Sequence, residues 1–232
     1  MPTWPSAPLR RCPPPRHGHR PRHPWRPERA ARRESPSLEP ASEGVADKPE
    51  RGDQFGWTLA HGDFDADGFS DLAISARWEG PEGRDAGAVH VLYGSPDGLS
   101  TTRARIWHQA SPGIPGRPGH EDEFGWVMVA GDFDGDGHDD LAIDTHREDF
   151  GAHDAGAVHV LYGGPAGLTA ARAQAWHQGS PGVADHPETG DGFGKALAAG
   201  DFNRDGIVDL AIGAPYESRG TGATTLHATS WT

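Results

Sequence analysis

Most of this sequence is a 69-residue unit that is written nearly three times. The acidic stretch DFDADGFSD at 63–71 returns as DFDGDGHDD at 132–140 and as DFNRDGIVD at 201–209. The ten residues DAGAVHVLYG at 85–94 are repeated letter for letter at 154–163. A fixed period of this kind is typical of repeat architectures, in which each unit buries its apolar faces against its neighbours. The fold therefore has to be built from copies of one supersecondary unit.

Each unit contains four short apolar or alternating segments that are separated by turn residues. In the first unit they read GWTLAHGDF, DLAISA, GAVHVLYG and ARIWHQ, and glycine- and proline-rich turns lie between them. Short segments at this spacing favour an antiparallel all-β fold. Four strands in a repeated unit are typical of a propeller blade. The predicted fold is all-β: a partial β-propeller built of four-stranded antiparallel blades, about three in number.

The three units are predicted to occupy residues 44–121, 122–190 and 191–232, and the third departs from the pattern. Where the first two read GAVHVLYG, the third reads GATTLHATSWT. We therefore expect the third blade to be incomplete and to lack the strand that covers DLAIGA. Open blade faces of this kind favour self-association. The chain is accordingly expected to be a fragment of a larger propeller, or the product of a truncated or frame-shifted gene.

Residues 1–43 differ in composition from the repeats. The first 40 residues hold nine arginines, three glutamates and 11 of the 21 prolines, so we expect a disordered basic tail. The remainder holds 12 Lys and Arg against 31 Asp and Glu, a balance of −19. An acidic body argues against a nucleic-acid partner and favours cation binding. No apolar stretch is long enough for a membrane span, and no secretory signal is recognisable.

The acidic loops have the residue pattern of a calcium site. Asp at the first, third and fifth positions with Gly at the sixth supplies oxygen ligands on a tight turn, as Ca²⁺ prefers. An EF-hand would carry Glu at position 12, but that position is isoleucine in all three copies. Each loop instead has Asp at position 9 and a backbone carbonyl at position 7. The candidate ligands are Asp63, Asp65, Asp67, Phe69 and Asp71; Asp132, Asp134, Asp136, His138 and Asp140; and Asp201, Asn203, Asp205, Ile207 and Asp209.

These loops and the Phe-Gly dipeptides before them resemble the FG-GAP repeats of integrin α-subunit propellers and their bacterial relatives. Phe-Gly occurs at 55–56, 124–125 and 193–194, whereas Gly-Ala-Pro is spelled only at 213–215. The resemblance covers residue 44 to about residue 217. It implies a β-propeller with Ca²⁺ in loops on one rim, an extracellular or cell-surface location, and a protein or glycan ligand.

Two functions remain open at this level. One is a calcium-binding repeat module for protein interaction or adhesion, and the alternative is a carbohydrate-recognition accessory module of a secreted hydrolase system. Catalysis is not expected, because no nucleophile elbow, zinc-protease motif or P-loop is present. Acidic clusters in triplicate also favour a structural metal over the single carboxylate pair of a glycosidase. The recurring tryptophans are expected in the blade core rather than in a sugar platform: Trp57, Trp107, Trp126 and Trp176.

Overall fold

The computed structural model describes residues 52–80, 85–183 and 185–217, together with the backbone of 223–227. All of these residues belong to one compact unit, Leu38–Thr232, and the expected basic tail at 1–43 lies outside them. Among the described residues, no helix has the length and hydropathy needed to cross a membrane.

The strands of the described part are β1 (Phe55–Gly62), β2 (Asp71–Ala76), β3 (Ala88–Tyr93), β4 (Ser100–Trp107), β5 (Met128–Gly131), β6 (Asp140–Thr145), β7 (Ala157–Tyr162), β8 (Thr169–Trp176), β9 (Ala196–Gly200), β10 (Asp209–Ala214) and β11 (Ala223–His227).

The strands form three antiparallel sheets, one for each repeat unit. Blade 1 has the order β1-β2-β3-β4 and blade 2 the order β5-β6-β7-β8, while in blade 3 β10 lies between β9 and β11. Strands that are adjacent in sequence are therefore adjacent in the sheet, as in the blades of a propeller. The predicted all-β fold with four-stranded antiparallel blades is confirmed.

The third blade has one more strand than its sequence indicates. The prediction that it lacks the strand covering DLAIGA is wrong, because β11 pairs antiparallel with β10, from Ala214 opposite Ala223 to Leu210 opposite His227. Ladder hydrogen bonds join backbone groups, so they do not require the side chains of GAVHVLYG. The threonines of this segment also favour an extended backbone. The described residues do not include a fourth strand for this blade.

The strands that read AVHVLY are buried along their whole length. All six residues of β3 and all six of β7 are buried, as expected for apolar strands covered on both faces. His90 and His159 lie inside them with 1% and 0% exposure, so both are packed residues. Burial lowers the pKa of His159 to about 4, so this imidazole is neutral at physiological pH.

The Phe-Gly dipeptides join each blade to the one before it. Phe124 and Phe193 are buried, and their backbone N–H groups donate to the carbonyls of Ala86 and Ala155 at 2.7 and 2.9 Å. At Gly87, whose φ is +90°, an added Cβ would lie 2.4 Å from the backbone nitrogen of Phe124. Only glycine permits both this φ and this close approach. The repeated DAG sequence is therefore required by contact with the next blade.

A buried carboxyl pair lies where blade 1 meets blade 2. Asp122 and Glu148 are 4% and 7% exposed and hydrogen-bond to each other. Gln109, just after β4, donates its Nε2–H to Glu148, and Gln178 donates to Glu217 in the same way between blades 2 and 3. Burial, followed by the negative charge of Asp122, raises the pKa of Glu148 to about 8. The Asp122–Glu148 pair therefore holds one proton at neutral pH.

We expect Glu148→Gln to flatten the dependence of stability on pH. A glutamine can accept from Gln109 and donate to Asp122, as the protonated glutamate does. The native protein keeps a proton that the unfolded chain releases above pH 4.5, so its stability falls as pH rises from about 4.5 to about 8. Even a one-unit pKa shift corresponds to about 1.4 kcal/mol, and the variant should avoid at least that loss. Urea denaturation of both proteins at pH 5 and pH 8 measures the difference, and equal losses would contradict the shared proton.

Candidate metal sites

The three acidic loops connect the first and second strands of their blades. They follow β1, β5 and β9 and end at the first residue of β2, β6 and β10, which is Asp71, Asp140 and Asp209. The sixth residue of each loop is glycine, with φ of +90°, +90° and +91° at 68, 137 and 206. Residues with a Cβ rarely adopt this conformation, so the glycine is required by the turn. The structure thus brings the sequence-predicted loops into the same conformation at the same end of each blade.

The first aspartate of each loop binds the backbone of its own loop. Asp63 Oδ1 accepts from the N–H of Asp67 at 3.0 Å, and its Oδ2 accepts from the N–H of Gly68 at 2.9 Å. Asp132 and Asp201 accept bonds from the equivalent residues of their loops. Each carboxylate oxygen has a second lone pair, so these bonds shape the loop and leave acceptor capacity for a cation.

The ninth residue ties the loop to the rest of the blade. Asp71 is 1% exposed, and its two oxygens accept from the N–H groups of Phe64 at 2.9 Å and Gly94 at 2.8 Å. Asp140, fully buried, makes the two equivalent bonds at 2.9 and 2.8 Å. Burial is the main cause that raises the pKa of Asp71 to about 6 and that of Asp140 to about 7, and neighbouring loop aspartates add to it. A bound cation would favour the ionised form and oppose this rise.

In the first two loops, the aspartate at the third position pairs with an arginine that the sequence pattern did not indicate. Asp65 Oδ2 pairs with Arg103 at 2.8 Å, and Asp134 Oδ2 pairs with Arg172 at 2.9 Å. Each guanidinium also lies over a tyrosine ring of its own blade, 4.5 Å from the centroid of Tyr93 in blade 1 and 4.8 Å from its equivalent in blade 2. The only sequence signal for these arginines is their spacing of one repeat. No motif marks them, because they come from the outer strand of the sheet.

One carboxylate oxygen in the first loop is buried without a partner. Asp65 is 9% exposed, and its Oδ1 makes no hydrogen bond within the described part of the chain. Asp63, Asp65 and Asp71 offer oxygens that all lie within 4.8 Å of one another. Burying an unpaired anionic oxygen is unfavourable, and a set of carboxylate oxygens is the donor chemistry of Ca²⁺. The residues of the first loop therefore fit a hard divalent cation.

The second and third loops differ in how closely they approach this arrangement. In the second loop the grouped oxygens belong to Asp132, Asp134 and Asp136, again within 4.8 Å of one another. In the third loop Asn203 donates its Nδ2–H to Asp205 Oδ2 at 2.9 Å. The amide thus contacts the carboxylate where a cation would lie, and it would have to turn its oxygen inward to act as a ligand. The third loop is the weakest candidate.

The recurring tryptophans do not all lie in the blade core. Trp107 is 8% exposed, as predicted, but Trp57 is 46% exposed, so the prediction of a core position is wrong for Trp57. Trp126 and Trp176 are half-buried. The β1–β2 register shifts near the start of β1, which places Trp57 against Trp126 of the next blade, with ring centroids 5.0 Å apart.

Known proteins match this chain over its blades. The sequence model of the FG-GAP repeat matches residues 55–92, 124–161 and 193–227. Integrin alpha-PS2 of Drosophila melanogaster is 32% identical over 178 residues, 70% of this chain and 12% of that protein. Integrin alpha-M of Mus musculus is 33% identical over 171 residues, 70% and 13% of the two chains. Phosphatidylinositol-glycan-specific phospholipase D of Rattus norvegicus is 37% identical over 105 residues, 45% and 12%. The chain therefore spans about an eighth of the length of these relatives.

Asp140→Ala should destabilise the protein even in the presence of a chelator. The substitution leaves the buried N–H groups of Phe133 and Gly163 without their acceptor, and each such loss costs about 1–3 kcal/mol. The control is Asp97→Ala, which removes an exposed aspartate outside the acidic loops and should change stability by no more than about 0.5 kcal/mol. Urea denaturation in chelator measures both variants. Similar losses for the two would show that position 9 has no structural role beyond its charge.

Proposed function

Because this chain is an FG-GAP repeat protein, we propose that it is a calcium-binding β-propeller module for protein interaction or adhesion, without catalytic activity of its own. The observation that carries the calcium proposal is the buried Oδ1 of Asp65, which has no partner among the described residues. It lies in a loop whose carboxylates are grouped within 4.8 Å. A cation in that group would satisfy the bare oxygen and reduce the repulsion between the aspartates.

We propose that each loop binds one Ca²⁺ through the side chains at positions 1, 3, 5 and 9 and the backbone carbonyl at position 7. In the first loop these are Asp63, Asp65, Asp67 and Asp71 with the carbonyl of Phe69. Four aspartates face one arginine there, Arg103, so a divalent ion would offset most of the remaining charge. The equivalent ligands in the other loops are Asp132, Asp134, Asp136, His138 and Asp140, and Asp201, Asn203, Asp205, Ile207 and Asp209.

Calcium in these loops would stabilise the contact between blades. The first loop lies against the second: Asp63 N–H donates to Asp139 Oδ2 at 2.9 Å, and Asp139 N–H donates to the Asp63 carbonyl at 3.0 Å. The carbonyl of Phe64 also accepts from Gly164 N–H at 3.0 Å. Repulsion between aspartates in two touching loops weakens this contact, and bound cations remove it. The interaction surface of the module would then depend on calcium through the packing of its blades.

Because each loop is short, we expect it to bind calcium with an affinity in the range of extracellular modules, about 10⁻⁴–10⁻³ M. Such sites are occupied only where calcium is present at millimolar concentration. We therefore propose an extracellular or cell-surface location, in agreement with the integrin alpha relatives. Adhesion through the Arg-Gly-Asp sequence at 51–53 is not proposed, because Asp53 is 8% exposed and its carbonyl accepts a hydrogen bond from Trp78 N–H at 3.3 Å.

The alternative function is a carbohydrate-recognition accessory module of a secreted hydrolase system. One observation favours it, namely the exposed aromatic rings of Trp57, Trp78 and Tyr216, which are 46%, 39% and 52% exposed. The phospholipase D relatives are named for a hydrolase, but the match covers only 12% of the rat protein. We therefore do not carry that activity over to this chain. Incubation with glycan and phospholipid substrates should give no hydrolysis above a heat-treated control.

Calorimetry of the chelator-treated protein should detect calcium binding with dissociation constants of about 10⁻⁴–10⁻³ M. Asp65→Ala should abolish the site in the first loop, because it removes the buried oxygen that lacks a partner. The matched control is Asp97→Ala, which removes an exposed aspartate outside the loops and should leave the binding heat unchanged. Asn203→Asp should strengthen the third site by adding a charge. Folded protein without binding heat at millimolar Ca²⁺ would refute the proposed function.

Magnesium should replace calcium poorly. Mg²⁺ prefers octahedral geometry at about 2.0–2.1 Å and loses its water reluctantly, whereas Ca²⁺ accepts six to eight oxygens in variable arrangements. A nine-residue loop that supplies most of the ligands suits the larger ion. At equal concentration and ionic strength, Ca²⁺ should raise the melting temperature and slow proteolysis more than Mg²⁺ does. Equal protection by both ions would point to general screening of the acidic surface.

A further inference from the structure

The end of the blades away from the acidic loops carries a strip of aromatic and basic side chains. Its positions follow the repeat, since Trp57, Trp126 and Lys195 come directly after the three Phe-Gly turns. Arg77 follows β2, and Tyr216 follows β10. Trp57 and Tyr216 are 46% and 52% exposed. Exposed aromatic side chains gathered at one end of the blades are typical of a binding surface.

Arg77 is held in a fixed position within this strip. Its guanidinium carbon lies 4.6, 4.7 and 4.2 Å from the ring centroids of Trp57, Trp78 and Trp126. Its Nη2 donates to Glu123 Oε1 at 3.1 Å, and the two side chains are only 13% and 6% exposed. Cation–π contacts and this ion pair together restrict the side chain. A side chain that is ordered in advance loses little conformational entropy when a ligand binds.

A cleft of about 310 Å³ opens in this strip, and we call it the aromatic–cationic cleft. The side chains that line it include Arg77, Trp126, Arg147, Lys195 and Tyr216. Lys195 Nζ lies 4.7 Å from the ring centroid of Tyr216 and 5.9 Å from that of Trp126. The volume is at the small end of the range for ligand pockets, so the cleft suits one ring-sized group.

The charge of the aromatic–cationic cleft differs from that of the whole protein. Three cations line it, Arg77, Arg147 and Lys195. Arg77 pairs with Glu123 at 3.1 Å and Arg147 pairs with Glu121 at 2.8 Å. Lys195 Nζ makes no ion pair among the described residues and donates only to the Tyr216 hydroxyl at 3.3 Å, so it is the one cation of the wall that an anionic group can pair with. The chain as a whole has a net charge of −13. A ligand with one negative charge is attracted locally, whereas a polyanion is repelled by the acidic body.

We propose that the aromatic–cationic cleft binds a sugar ring that carries one carboxylate, at the end of a glycan chain. The apolar C–H face of such a ring packs on the exposed ring of Tyr216, and its carboxylate pairs with Lys195. Its hydroxyl groups both donate and accept hydrogen bonds, which matches the mixture of Arg147 and Asp154 in the wall. This inference rests on the proposed interaction role and names a ligand class for it, but the cleft contains none of the proposed calcium ligands.

An acidic peptide fits the same cleft less well. A lone aspartate or glutamate side chain would pair with Lys195 in the same way, but it has no hydroxyl groups to bond with Arg147 and Asp154 in the wall. It also has no ring to cover the exposed surface of Tyr216. The combination of a ring face, hydroxyl groups and one carboxylate satisfies all three features of the wall at once.

The test is a titration of the full chain, in calcium, with 3′-sialyllactose and with lactose, followed by saturation-transfer NMR and tryptophan fluorescence. We expect sialyllactose to bind and lactose to bind at least about tenfold more weakly, which corresponds to the loss of one charge-assisted hydrogen bond. Lys195→Gln and Tyr216→Ala should each weaken sialyllactose binding by about tenfold. Tyr216→Phe, which keeps the ring, should weaken it less than Tyr216→Ala does. The matched control is Arg105→Gln, which removes an exposed charge from β4 and should not change binding.

Three outcomes would overturn the proposal: equal binding of lactose, tighter binding of oligogalacturonate, or displacement of sialyllactose by a short aspartate peptide at equal concentration. Melting curves of the variants show whether a loss of binding reflects unfolding, and Tyr216→Phe keeps the test valid if Tyr216→Ala does not fold. Calcium calorimetry on Lys195→Gln separates the two proposals. If the native chain gives normal calcium heats but does not bind sialyllactose, only the cleft proposal is refuted. If it binds sialyllactose but gives no calcium heats, only the proposed metal sites are refuted.

Discussion

The fold depends on the close approach of each Phe-Gly turn to the blade before it. The backbone of Phe124 contacts blade 1 at Gly87, and the backbone of Phe193 contacts blade 2 at Gly156, where an added Cβ would lie 2.3 Å from the Phe193 carbonyl oxygen. Two buried apolar clusters lie on either side of blade 2, one shared with blade 1 and the other with blade 3. A single sheet cannot bury both of its apolar faces, so each blade is stabilised by its neighbours.

This packing gives the two ends of the blades different chemistry. At one end the loops between first and second strands bring aspartates from neighbouring blades into contact, as Asp63 and Asp139 show. At the other end the tryptophans and lysine after the Phe-Gly turns lie beside the arginine that follows β2, as in the stack of Arg77 on Trp57 and Trp126. A short strand connects the two ends. A cation bound in the loops, as proposed, would therefore also support the blade contacts on which the aromatic–cationic cleft depends.

The buried carboxylates of this acidic chain compensate their burial in different ways. Asp71 and Asp140 accept backbone hydrogen bonds, and burial still raises their pKa values to about 6 and about 7. Glu148 shares a proton with Asp122 between two blades. Asp65 keeps one buried oxygen that has no hydrogen-bond partner among the described residues. Desolvation is the common cause. Burial makes an ionised carboxylate unfavourable unless a hydrogen-bond donor or a cation compensates its charge, and it otherwise favours the protonated form.

The sequence alone determined the features that depend on local chemistry. The 69-residue period predicted the blades, and the spacing of aspartates and glycine predicted the loops between strands. These signals are readable because turn geometry and strand periodicity act over a few residues. Two predictions from the same kind of pattern were wrong. β11 forms without the expected sequence, because backbone pairing does not require it, and Trp57 is exposed where the strand register shifts.

Only the tertiary structure decided which distant side chains meet. Arg103 reaches Asp65 from the outer strand, Gln109 reaches Glu148 across 39 residues, and Arg77 lies on rings from two blades. None of these partners stands at a motif spacing, because their contact follows from how blades pack and not from the order of residues within one turn. The physical reason is that a repeat encodes each blade by itself, whereas the groups that neutralise its charges and form its clefts come from the outer strand or from the next blade.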